Sequence, residues 1–240
     1  MRGLFVTGTG TEVGKTVVAA AIARTAHAAG ARVAVFKPAV SGLDDHPLRP
    51  EVWASAPELP DHALLRLAAG SRQGDEQVAP YRYGPAVSPH LAAELAGERI
   101  DPDHLRGAAL DSTEGADLLV CEGVGGFLVP LTSDYLVRDL ARDLALPVVV
   151  VASPGLGTIN HTLLTIEAVR EAGLAVSAVV LTPWPADPSP MEGSNRQTIE
   201  RLGSVSVETL PLLDLSDPDS WPGLRIEVDS PRAASSLRAA

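Results

Sequence analysis

The chain has one cysteine in 240 residues, Cys121, which closes no internal disulfide and suits a reducing compartment. Long apolar runs are missing too: none approaches the roughly 18 residues that a membrane-spanning helix needs. The first residues, Met1-Arg2, lead straight into a strand-like run without a signal-peptide pattern. Positive charge is scarce, with 19 Lys and Arg against 30 Asp and Glu, a net charge of −11 that repels phosphate backbones and anionic lipid. These shortages point away from a disulfide scaffold, a membrane span, a nucleic-acid partner and a membrane surface. What the chain does have is 45% hydrophobic residues, ample for a core at this length. The expectation is a soluble, acidic, cytoplasmic protein forming a single domain over residues 1–240.

Short apolar runs alternate with longer helical ones, which predicts a doubly wound α/β fold: a mainly parallel sheet with helices on both faces. Leu4-Phe5-Val6 reads as the first strand, and Thr16 to Ala29 as an Ala-rich helix ended by Gly30. Arg32 to Lys37 is a second strand, stopped by Pro38. Leu118 to Glu122 and Val148 to Ala152 are the continuous apolar runs of strands buried on both faces. Tyr135 to Ala145 and Ile159 to Ala172 read as crossover helices, Ala178 to Leu181 as a further strand and Met191 to Leu202 as a further helix. Leu43 to Pro60, with four prolines, reads as a surface insertion, and residues from about 230 to 240 as a fraying tail.

The strongest local signal is Gly8-Thr9-Gly10-Thr11-Glu12-Val13-Gly14-Lys15-Thr16, between the first strand and the first helix. Strand, Gly-rich turn and helix N-terminus aim backbone N–H groups and the positive end of a helix dipole at one point, as in a phosphate-binding loop. In such a loop Lys15 bridges the β- and γ-phosphates and the Thr16 hydroxyl holds Mg²⁺. The strict G-x-x-x-x-G-K-T pattern needs Gly at position 9, where this chain has Thr9; Gly8 stands one residue early. The alternative is an ordinary Gly/Thr-rich turn.

Glu122 ends the apolar run Leu118-Leu119-Val120-Cys121 and precedes Gly123-Val124-Gly125-Gly126, where a carboxylate can meet Mg²⁺ and glycines let a ligand approach. Its plainer role is to cap a turn. Cys121, inside the run, reads as core. Lys37 lies at the carboxyl end of the second strand, the sheet edge where open α/β folds bind ligands. Together Lys15 and Lys37 concentrate positive charge in one crevice of an acidic protein, which suits a second anionic substrate beside the γ-phosphate.

The set resembles the dethiobiotin synthetase family. The resemblance rests on the loop above, then Lys37-Pro38-Ala39-Val40-Ser41-Gly42, Ser88-Pro89-His90, Glu122-Gly123-Val124-Gly125-Gly126 and Leu156-Gly157-Thr158-Ile159-Asn160-His161, in the family's order and at similar spacing from residue 4 to about residue 213. It implies a P-loop ligase that closes a cyclic urea from 7,8-diaminopelargonate, CO₂ and ATP through a carbamate and a mixed anhydride with phosphate. It further implies Lys37 and Lys15 as catalytic cations, Thr16, Asp61 and Glu122 as Mg²⁺ ligands, and Gly10, Thr11, Glu12, Val13, Gly14, Lys15 and Thr16 around the nucleotide. Substrate contacts fall to Lys37, Ser41, Gly125, Gly157 and Asn160, the last two from a neighbouring subunit of a homodimer. Asp61 and Asn160 each open a predicted helix, so each has N-capping as an alternative role.

One departure stands out. After the Ala178-to-Leu181 strand the family commonly carries Asn, which reads adenine; here Thr182 follows, while Pro211, Leu212 and Leu213 still match the segment that lines the base. Losing the amide removes a donor–acceptor pair, which predicts weaker discrimination between nucleobases. Two rival readings share the loop: an amide-forming synthetase of the cobyrinate type, which usually adds a glutaminase domain this chain has no room for, and a nucleotide-switched partitioning ATPase. The latter's loop normally carries an extra Lys near the start, where this chain has Gly10, and it wants a basic patch or terminal helix.

Overall fold

The computed structural model describes residues 2–44 and 59–227. Most of the expected insertion and all of the expected fraying tail lie outside those residues. Among the described residues eight strands and eight α-helices follow in order: β1 (Gly3–Gly8), α1 (Lys15–Ala28), β2 (Val33–Phe36), β3 (Ala39–Val40), α2 (Asp61–Ala68), α3 (Asp75–Val78), β4 (Tyr81–Arg82), α4 (Pro89–Leu95), α5 (Pro102–Asp111), β5 (Leu118–Gly126), α6 (Val137–Leu144), β6 (Val148–Ala152), α7 (Thr158–Glu171), β7 (Val176–Trp184), α8 (Pro190–Gly203) and β8 (Val207–Pro211).

Six strands form one all-parallel sheet in the order β2-β5-β1-β6-β7-β8, and β3 pairs with β4 apart from it. Alternation along each strand divides the core. Leu4, Val6, Val33, Val35, Val120, Val149, Val151 and Val180 pack on one face with Val17 to Ala23 of α1 and with Leu64 and Leu65 of α2. Phe5, Phe36, Leu119, Cys121, Val148, Val150, Val179 and Leu181 pack on the other with residues of α4 to α8. Burial on both faces is why these strands read as unbroken apolar runs. After β1 the chain goes to β2 on one side, returns through β5, and then crosses β1 to β6 on the other. The loop after β1 therefore sits where the winding reverses, the place open α/β sheets reserve for ligands.

Several expected boundaries move. β2 ends at Phe36, so Lys37 stands just beyond the strand, its N–H donating to the Val78 carbonyl at 2.7 Å. The α6 helix starts at Val137 and not at Tyr135, because the Tyr135 carbonyl accepts from Leu131 and Thr132 and keeps that residue in a turn. The sequence reading missed β8, which buries Val207 and Leu210 without strict alternation and closes the sheet edge at Pro211.

The largest correction is at Glu122. The fifth strand does not stop there but runs on to Gly126. Val6 pairs with Glu122 and Gly8 with Gly126, so β5 advances four residues while β1 advances two. The extra residues fall in the Gly-rich stretch, and the resulting bulge keeps Glu122 inside the sheet and bends the strand past the crevice.

Candidate active site

The loop between β1 and α1 is held by backbone geometry before any side chain acts. Thr9 N–H donates to the Val151 carbonyl at 2.9 Å, tying the loop to β6. Gly14 caps α1 with φ 93°, in the left-handed region that glycine adopts without cost. A side chain at Gly8 is excluded by Val13, whose Cγ2 lies 2.7 Å from the position a Cβ would take. Glu12 holds φ 61°, uncommon away from glycine and characteristic of functional loops. With no side-chain cap at the helix start, the first N–H groups of α1 are available to an anion.

Around this loop the fold gathers a crevice of about 260 Å³, lined among others by Thr11, Glu12, Gly14, Lys15, Thr16, Lys37, Ser41, Asp61, Glu122 and Gly125. Lys15 Nζ donates to the Gly10 carbonyl at 2.8 Å. Lys37 Nζ lies 2.6 Å from Asp61 Oδ2 and 2.6 Å from Glu122 Oε1, and Thr16 Oγ1 donates to that same Oε1 at 2.9 Å. Glu122 Oε2 is buried without a hydrogen-bond partner. Glu122 thus caps no turn. Asp61 is the first residue of α2, whose N-cap is Pro60, and its carboxylate goes to Lys37 and not to the helix end.

Two ammoniums and two carboxylates share this space, and each shifts the others. Burial, opposed by Glu122 and reinforced by Lys37, lowers Lys15 to about 8. Burial also works against the Lys37 charge, but Asp61 and Glu122 outweigh it and hold Lys37 above the usual lysine range. Burial raises the Glu122 carboxyl; Lys37 only partly offsets this. At Asp61 the Lys37 charge and hydrogen bond overcome desolvation and hold the carboxyl low. Burial likewise pushes the Cys121 thiol up, in keeping with a core residue. Such opposed shifts in one cleft are the mark of a site built for chemistry.

Not every expected residue reaches the crevice. Asn160 is exposed on the first turn of α7, and the cap of that helix is Gly157, with φ 91°; neither residue lines the crevice of its own chain. Thr182 is fully buried, its Cγ2 2.7 Å from where a Cβ on Gly14 would sit and its hydroxyl without a partner. Pro211 ends β8, Leu212 is half-exposed and Leu213 is buried in the core, while its neighbour Leu215 lines the crevice. The sequence reading passed over one plain signal. Lys15 and Lys37 are the only two lysines in the chain, the other 17 basic residues all being arginine. It also missed Asn195, buried on α8 and bonded to the turn before α7.

The AAA domain family matches residues 2–218. The ATP-dependent dethiobiotin synthetase BioD of Anaeromyxobacter dehalogenans (strain 2CP-1 / ATCC BAA-258) is 42% identical over 84% of this chain and 86% of that protein. The enzyme of the same name from Bacillus subtilis (strain 168) is 34% identical over 86% of this chain and 85% of its own length. Among solved structures, a ParA family ATPase from Chlorobium tepidum TLS superposes with a TM-score of 0.55 at 12% identity, covering 90% of this chain and 88% of that one, a likeness of fold alone. With relatives at that identity along most of its length, the chain belongs to the dethiobiotin synthetase family.

Proposed function

We propose that this chain is an ATP-dependent dethiobiotin synthetase, a ligase that closes the cyclic urea of dethiobiotin from 7,8-diaminopelargonate and CO₂ while ATP becomes ADP and phosphate. The observation that carries this reading is the meeting of both lysines with Glu122, Asp61 and Thr16 at the phosphate loop. One substrate amine adds to CO₂ to give a carbamate and a proton. The carbamate oxygen attacks the γ-phosphorus as ADP leaves, and the second amine then attacks the carbamoyl carbon and expels phosphate.

An anionic carbamate must approach a polyanionic triphosphate, so the demand on the protein is positive charge and alignment, with no strong base needed. Lys15 neutralises the β- and γ-phosphates from the loop. Lys37 meets the carbamate side, with the Ser41 hydroxyl beside it on the crevice wall. Removal of the carbamate's counter-charge would leave the reacting oxygens to repel each other.

Mg²⁺ fits the oxygen donors present. Glu122 Oε2 has no hydrogen-bond partner, the Thr16 hydroxyl meets the other oxygen of the same carboxylate, and the Asp61 carboxylate joins that oxygen at the Lys37 ammonium. Among the described residues no three His, Cys, Asp or Glu side chains cluster as a full cage, which suits an ion that keeps waters and takes other ligands from phosphates. Held by Thr16, Asp61 and Glu122, Mg²⁺ would supply charge neutralisation for the triphosphate.

The enzyme acts as a cytoplasmic homodimer in this reading. Gly157 and Asn160 bind the substrate carboxylate of the neighbouring subunit; neither is among the residues that line the crevice of its own chain. Incubating the protein with Mg-ATP, bicarbonate and 7,8-diaminopelargonate should give the cyclised urea by mass spectrometry; phosphate release without it would refute the reading. Mixing Lys37→Ala with Asn160→Ala protein and allowing subunits to exchange should restore part of the activity, because one of the two mixed sites is then intact. No recovery would place Asn160 outside any shared site.

A further inference from the structure

We infer that Asn195 is a positioning residue for substrate binding: it holds the turn that aims the start of α7. Asn195 lies on α8 and is 7% exposed. Its Nδ2 donates to the Pro154 carbonyl at 2.9 Å and to the Gly155 carbonyl at 3.2 Å. Both partners are acceptors, so only the amide nitrogen satisfies them. The Gly155 carbonyl also accepts from Thr158 N–H, the first residue of α7, at 3.3 Å. One oxygen therefore joins Asn195 to the beginning of the helix that carries Asn160.

Two of the turn's five residues are glycine. Its sequence is Ser153-Pro154-Gly155-Leu156-Gly157, and Leu156 is 94% exposed between two glycines. Such a turn explores many backbone conformations unless held from outside. The next residue of α8 completes the attachment, since Arg196 Nε donates to the Val207 carbonyl on β8 at 3.1 Å. Asn195 and Arg196 thus fasten one helix to the turn and to the sheet edge at once. Asn195 stands away from the crevice lining and touches no reacting atom; its effect reaches the substrate through the placement of Gly157 and Asn160.

This rests on the reading that Gly157 and Asn160 take the substrate carboxylate, and the experiment separates the two. Initial rates would be measured for Asn195→Ala, Asn195→Ser, Asn160→Ala and the double variant Asn160→Ala/Asn195→Ala, varying 7,8-diaminopelargonate and ATP in turn. Asn195→Ala should raise the diamine KM about tenfold with kcat and the ATP KM within about twofold, because it loosens one binding element and leaves the phosphate loop intact. Asn195→Ser, which keeps one donor, should fall between wild type and Asn195→Ala. The double variant should be no worse than Asn160→Ala alone, the sign of two residues acting through one contact. A raised KM for Asn160→Ala with an unchanged one for Asn195→Ala overturns the inference and leaves the carboxylate site standing. Unchanged values for both overturn the site and the inference together. Equal losses in kcat and in both KM values would make Asn195 a folding residue only and also overturn it.

Discussion

The two halves of one sheet edge solve different problems. On the side of β1, β2 and β5 the crevice gathers Lys15, Lys37, Asp61 and Glu122; Lys15, Lys37 and Glu122 are buried, Asp61 is half-exposed on α2, and the buried charges are tolerable only in such company. On the side of β6, β7 and β8 the same edge offers neutral groups: backbone carbonyls held by Asn195, a buried Thr182 and the start of α7, whose Gly157 cap supplies no side chain. The first half is organised by charge compensation and the second by placement of backbone. Changes in the charged half should therefore be large and pH-dependent, and changes in the neutral half small and confined to binding.

The severest test is Lys37→Gln. Losing the cation proposed to face the developing charge should lower kcat by about 100-fold or more, with a much smaller change in nucleotide affinity. The same substitution strands Glu122, which is fully buried, and a broken buried pair costs about 3–5 kcal/mol. Burial already raises the Glu122 carboxyl, so in the variant, without the opposing Lys37 charge, the native state holds that proton more tightly than the unfolded chain does. Stability of Lys37→Gln should thus be greatest at low pH and fall as pH rises through the carboxylate range. Urea denaturation at several pH values measures this; a pH-independent loss would mean that Glu122 does not depend on Lys37. An unchanged kcat would remove Lys37 from the chemistry.

Much of the charged half could be read from the chain because its signals are local. Nine consecutive residues spell the phosphate loop, Lys37 abuts a Pro that ends a strand, and Glu122 precedes a run of glycines. What local reading could not supply was the joint work of these residues. That Lys37 meets Glu122, 85 residues away, follows from the sheet order, since β5 lies beside β2, whereas Asp61, 24 residues away, arrives at the start of α2. The extension of β5 past Glu122 was hidden because glycines read as a turn, whereas here they form a bulge. The neutral half was less visible. β8, Val207-Glu208-Thr209-Leu210-Pro211, shows no strict apolar alternation, and Asn195 looks like any polar residue of a helix until its partners 40 and 41 residues earlier are known.

A second test of the charged half concerns Lys15. Lowered to about 8 by burial, it is partly neutral in the free enzyme at that pH, and a bound triphosphate favours its charged form. Nucleotide binding should therefore take up protons near pH 8 and almost none near about pH 6, where Lys15 is already charged. Affinity for the triphosphate should weaken as pH rises through that range. Calorimetry in two buffers of different ionisation enthalpy reads the uptake directly. Lys15→Arg keeps the charge at every accessible pH and should abolish the uptake while retaining some binding; uptake that survives in Lys15→Arg would assign the proton to another group.

The smallest effect is expected at Thr182, in the neutral half. Its hydroxyl is buried without a partner and its methyl packs against Gly14, so it stands under the phosphate loop and offers a base no paired donor and acceptor. A pocket that reads a base through buried hydrogen bonds rejects the wrong one by orders of magnitude, and one that lacks them does not. Initial rates with ATP, CTP, GTP and UTP should accordingly fall within about tenfold of one another, a spread worth about 1.4 kcal/mol. Thr182→Val exchanges an unsatisfied hydroxyl for a methyl of the same shape and should leave that profile unchanged while raising stability by about 1 kcal/mol. A strict preference for ATP would show that backbone groups near Leu212 read the base unaided. If Thr182→Val slowed one triphosphate selectively, the hydroxyl itself would be part of recognition, and the neutral half would do more than hold its neighbours in place.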